Sequence, residues 1–151
     1  MQIAFYKAPG DWTDRLIRWA TRSPYSHCEL LLTPLTPHGV ATAISSSPRD
    51  GGVRTAKIWF RPERWDVINL PFPSADVEHR AKSQLGLGYD LIGAVASQLP
   101  RLRPHSQKRW FCSELLAWSL GMAAPETLSP GELYLRLGDM SHAFNLGRSA
   151  A

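Results

Sequence analysis

The chain has only two cysteines, Cys28 and Cys112, in 151 residues. So low a count excludes a disulfide-stapled scaffold and points to free thiols in a reducing compartment. A Cys28–Cys112 disulfide stays open on sequence grounds, although it would consume both thiols. No apolar run approaches the roughly 18 residues that a membrane span needs, so none is expected. The start, MQIAFYKAPGDW, lacks the basic and apolar regions of a secretory leader, which leads to the expectation of a cytoplasmic location. Metal-type Cys/His clusters and phosphate-cradling glycine loops are missing as well. Gly86-x-Gly88 has neither a third glycine nor a preceding strand, so no cofactor and no metal are expected.

The hydrophobic share of 44% and charged share of 20% instead fit one ordinary folded domain spanning the whole chain. The formal net charge of +4 is scattered. Its densest stretch, Arg101 to Arg109, is broken by Pro100 and Pro104 and reads as a solvated loop. No aromatic-interleaved basic surface accompanies it, so no nucleic acid partner is expected.

The order of elements predicts an α+β fold. Met1 to Lys7 alternates and reads as a strand, closed by Pro9-Gly10. Asp11 sits where a helix N-cap belongs, ahead of a helix whose Trp12, Leu16, Trp19 and Ala20 fall at helical spacing and are expected in the core. Strands are then predicted over Ser26–Leu32, Val40–Ser47, Gly52–Phe60 and Trp65–Leu70. Helices follow: one capped by Ser74 and stopped at Gly86, one over Tyr89–Leu99, one over Trp110–Leu120 and a short one in SPGELYLRLG. The tail from about residue 140 is expected to be loosely held. A run of strands followed by a run of helices gives segregated layers.

Two segments can carry chemistry. In Arg109-Trp110-Phe111-Cys112-Ser113-Glu114 a thiol falls in the first turn of a predicted helix. The unpaired backbone N–H groups and the positive end of the dipole there favour a thiolate, and the same N–H groups can bind an oxyanion. The alternative for Cys112 is a small buried apolar residue. In Ser26-His27-Cys28-Glu29-Leu30 the period of a strand sets His27 and Glu29 on one face, Cys28 and Leu30 on the other. His27 can serve as general base to a thiol when another group orients its far nitrogen. His38, His79, His105 and His142 fall in turns or on a helix exterior and rank behind it.

Together SHCELLL, the DGGVR turn (Asp50 to Arg54), GYDLIGAV and FCSELL followed by SPGEL resemble the circularly permuted branch of the papain-like NlpC superfamily of cysteine peptidases and amidases. Short phage and prophage proteins of this type look especially similar. The resemblance covers most of the chain from Tyr25 to Leu133. It implies an antiparallel sheet with helices packed on one side, Cys112 as nucleophile and His27 as its base. The family's third polar residue usually lies on the strand after the His strand, which here reads VATAISSS. Ser45 and Ser46 are the candidates there, with Glu29 as a substitute. Tyr89, Tyr25 and Trp110 are the expected substrate-lining residues. The implied activity is a hydrolase acting on a peptide or acyl substrate, such as a cell-wall peptide or a lipid ester, through an acyl-enzyme. The rival implication is a non-catalytic binding or structural protein associated with a virion.

Overall fold

The computed structural model describes residues 1–90 and 109–149. The helix expected over Tyr89–Leu99 and most of the basic stretch from Arg101 lie outside the described residues, apart from Tyr89, Asp90 and Arg109. The elements are β1 (Gln2–Tyr6), α1 (Trp12–Thr21), β2 (His27–Leu31), β3 (Val40–Ser47), β4 (Gly52–Trp59), β5 (Trp65–Asn69), α2 (Ala75–Ser83), β6 (Gly88–Tyr89), β7 (Arg109–Trp110), α3 (Cys112–Ser119) and α4 (Pro130–Ser149). A short 3-10 turn, Pro125–Thr127, joins the last two helices.

The seven strands form one curled sheet in the order β5-β1-β2-β3-β4-β6-β7. Every pair is antiparallel except β6 with β7, which run parallel through Gly88↔Arg109 and Tyr89↔Trp110. Alternation along β1 and β2 divides the core. Ile3, Phe5, Cys28 and Leu30 face one cluster, joined by Ile17, Val77, Leu115 and Leu133 from the four helices. Ala4, Tyr6 and Leu31 face a smaller cluster with Phe60 and Trp65, which contains no helical residue. Among the described residues, helical side chains thus contribute to the first cluster and not to the second.

The DGGVR turn has a physical reason for each glycine. Gly51 has φ +76°, which side-chain-bearing residues seldom adopt. Gly52 lies so close to β6 that a Cβ would collide with the Leu87 carbonyl. Around them Val53 N–H donates to Leu87 O (2.8 Å), and Tyr89 N–H donates to Gly51 O (3.0 Å). The turn therefore anchors β6, and with it Tyr89.

Three expectations are corrected. Trp12 and Trp19 are 68% and 78% exposed, while Thr13, Asp14 and Ile17 are buried. Helical spacing identifies faces but not which of them turns inward. Here Asp14 decides, because its carboxylate accepts from Ser26 Oγ (2.8 Å) and Arg49 Nη2 (3.0 Å). Trp110 lies on β7 rather than in a helix, so α3 begins at Cys112 itself. Finally, the helix expected to end near Gly138 continues to Ser149. Ser141 and Phe144 on it reach Asn69 O and the Phe72 ring.

Candidate active site

Cys112 is the first residue of α3. The preceding Phe111 supplies no side-chain cap, and its own N–H donates to the Glu114 carboxylate (3.3 Å). The thiol is therefore placed at the positive end of the helix, where a thiolate is favoured. Cys112 interacts with both His27 and Cys28. The three meet where the sheet opens. β2 and β3 pair only at Leu30↔Ile44 and Leu31↔Ala43, and beyond Leu30 the strands part. Across that opening Ser45 Oγ donates to Cys28 O (2.6 Å).

Behind the imidazole stands Glu29. His27 Nε2 lies 2.9 Å from Glu29 Oε1, which leaves Nδ1 as the nitrogen available to the thiol. Arg54 grips the same carboxylate with two bonds, Nη1 to Oε2 (2.9 Å) and Nη2 to Oε1 (2.6 Å). Its Nε donates to Asp50 Oδ2 (2.8 Å). The chain Cys112–His27–Glu29–Arg54–Asp50 thus alternates in charge from the sulfur outward. Two parallel N–H···O bonds fix the carboxylate plane, which in turn fixes the ring.

Electrostatics follow from this order. Burial pushes the Cys112 thiol up, but hydrogen bonds from the Cys28 side chain and backbone N–H, together with the His27 charge, hold it well below the ordinary thiol range. Burial alone would lower His27, yet the negative charge on Cys112 and the bond to Glu29 carry it well above its usual value. Glu29 is disfavoured by burial and still held low by His27 and Arg54. Cys28 goes the opposite way from its neighbour. Burial raises it, and the charge on Cys112 raises it further. Cys112 is thus shifted toward the thiolate, Cys28 toward the thiol and His27 toward the imidazolium. Both cysteines are free.

A cavity of about 260 Å³ opens beside this chain, lined by His27, Glu29, Arg54 and Tyr89, with Arg49 and Asp14 on its wall. His27 keeps 15% of its side chain exposed, whereas Cys112 has no exposure at all. The sulfur therefore lies behind the cavity wall, where the imidazole and Tyr89 both interact with it. Among the described residues the buried Tyr89 hydroxyl has no hydrogen-bond partner. Burial and the Cys112 charge push its pKa up, so it remains a donor. A lone buried donor beside a thiolate can stabilise a developing oxyanion.

The structure thus brings Cys112, His27, Glu29 and Tyr89 together, and places the other expected site residues elsewhere. Neither Ser45 nor Ser46 reaches His27, because each hydroxyl is committed to a backbone carbonyl, Ser46 Oγ to Trp110 O at 2.7 Å. Tyr25 does not line the cavity. It packs against Phe5 and Tyr134 and donates its hydroxyl to Asp66 Oδ2 (2.7 Å). Trp110 is buried against Trp118, with its indole N–H toward Gln84. Arg54 is the residue that sequence reasoning left without a role. A glutamate inside the apolar run CELLL requires a buried cation, and that was the available signal.

Among the described residues no group of His, Cys, Asp and Glu is arranged to hold a metal ion, and no helix is long and apolar enough to cross a membrane. Comparison with known proteins finds no family model that matches the chain and no curated protein significantly similar to it.

Proposed function

We propose that this protein is a cysteine hydrolase of the circularly permuted papain-like NlpC type, cleaving a peptide-like amide or an acyl ester. One observation carries the reading: a helix-N-terminal cysteine interacts with a histidine whose far nitrogen is held by a buried, arginine-clamped glutamate. In the first half-reaction the Cys112 thiolate attacks the substrate carbonyl, and its carbon–oxygen double bond opens to an oxyanion. The N–H groups at the start of α3 and the Tyr89 hydroxyl are the donors for that charge. As the oxyanion collapses, His27 gives its proton to the leaving amine or alcohol, and a thioester remains. In the second, His27 takes a proton from water, the hydroxide attacks the thioester, and the acid departs with the thiolate restored.

Full burial of Cys112 favours a second reading, a binding or structural protein that retains the fold around an inert thiol. Reaction with iodoacetamide at about pH 6.5, below the free thiol value near 8.5, separates the two. A hydrolase site labels Cys112 at least tenfold faster than Cys28, and His27→Ala removes the advantage. Slow and equal labelling of both thiols, unchanged by His27→Ala, would exclude the hydrolase.

A further inference from the structure

The outer face of α1 serves neither the core nor the cavity. Trp12 and Trp19 stand on it, 68% and 78% exposed, two helical turns apart and so about 10 Å along the axis. Leu16 lies between them, half-buried. Arg15 flanks the same face and Arg22 ends the helix as its left-handed C-cap, both exposed, and neither forms an ion pair among the described residues. The remaining charges of this segment are turned away and occupied. Asp11 and Asp14 hold Arg49. Arg18 donates to the carbonyls of Ala8 and Pro9. Among the described residues the face and its C-terminal end therefore present two indoles, an aliphatic chain and two unpaired cations, with no anion among them.

We propose that this face docks the protein on an anionic phospholipid surface. The chemistry of each group matches a layer of that surface. Indole rings combine an apolar body with one N–H donor and settle at the headgroup boundary. Arginines beside them meet lipid phosphates, and each adds to attraction by a negative leaflet. The face is convex and two turns long, which suits lying flat on lipid. The inner face of the same helix supplies Thr13, Asp14 and Ile17 to the cavity wall. Docking thus holds the cavity about one helix diameter, roughly 10 Å, from the headgroups. This inference goes beyond the hydrolase reading and does not depend on it.

Flotation with vesicles of phosphatidylcholine, alone or with about one third phosphatidylglycerol, tests it. The wild-type protein floats with the anionic vesicles and not with the neutral ones, and added salt releases it. Arg15→Ser with Arg22→Ser weakens partitioning about thirtyfold. Trp12→Ser with Trp19→Ser abolishes flotation, and thermal unfolding is unchanged because both side chains are exposed. Cys112→Ser floats as the wild type does, so this inference and the hydrolase reading fail separately. Wild-type protein that stays unbound, or paired variants that float equally well, would overturn the proposal. So would a dimer in sedimentation equilibrium that Trp12→Ser with Trp19→Ser dissolves, without flotation, since the face then belongs to a second copy.

Discussion

Two arginine-centred clusters share one cavity wall and have the same composition, a guanidinium between two carboxylates. Arg54 joins Glu29 and Asp50, while Arg49 joins Asp11 and Asp14. They differ in water. The Arg54 and Glu29 side chains are 19% and 1% exposed, against 61% and 43% for Arg49 and Asp11, while each cluster's third member lies the other way, Asp50 at 49% and Asp14 at 11%. Coulomb attraction near the surface is screened, and long side chains lose entropy to hold it, so such a pair contributes little. In the interior neither partner can be left alone, because an unpaired buried charge costs far more than the pair gains. The guanidinium is therefore a mild tie at Arg49, where Ser26 also holds the buried Asp14, and a structural requirement at Arg54, where Glu29 is buried.

The largest expected effect comes from breaking the buried cluster. Arg54→Met should lower stability by about 3–5 kcal/mol in urea denaturation. Adding Glu29→Gln should restore much of that loss, since both ends of the pair are then neutral. A loss below about 1 kcal/mol for Arg54→Met would dissolve the contrast between the clusters.

Acid should strike the buried cluster next. Glu29 is held low by His27 and Arg54, despite burial, so its folded pKa lies below its unfolded one. Its contribution to stability is complete above the unfolded value of about 4.3 and is lost as pH falls through the folded value. The urea midpoint should drop on acidification through that window, and drop less steeply in the Glu29→Gln, Arg54→Met double variant. Parallel acid limbs in the two proteins would show that other carboxylates carry the effect.

The smallest change is expected at the surface cluster. Arg49→Ala should shift stability by no more than about 1 kcal/mol, with Asp14 still held by Ser26. A loss above about 2 kcal/mol would place Arg49 with the buried class.

Much of this arrangement was legible in the chain, and the illegible parts share a cause. Alternation and turn residues located β1 to β5, because period two and glycine punctuation are local properties, but not the two-residue β6 and β7, whose Tyr89 and Trp110 were expected in helices. Residue type and helix position made Cys112 and His27 separate candidates; their pairing was what the family resemblance implied. Partner choice was less legible. The hydroxyls of VATAISSS look like candidates for His27, yet a short hydroxyl on a strand is readily captured by a nearby carbonyl, as Ser45 and Ser46 are. Which side of α1 turns inward was hidden for a similar reason. Apolar spacing favoured the tryptophans, and the buried bond of Asp14 to Ser26 overrode it. In each case a long-range polar contact settled what local pattern left open.

The place of β1 in the sheet has a consequence for synthesis. It is made before the other six strands of the sheet, yet it lies between β2 and β5. Its Gln2 side chain meets Asn69 across 67 positions of sequence. A ribosome adding about 5–20 residues per second needs roughly 3–13 s to cover that interval. Throughout, one edge of β1 offers unpaired N–H and C=O groups to any passing strand. Only when β5 emerges is the ladder closed, so the interval between those two strands is when the nascent chain is most open to mispairing and chaperone capture.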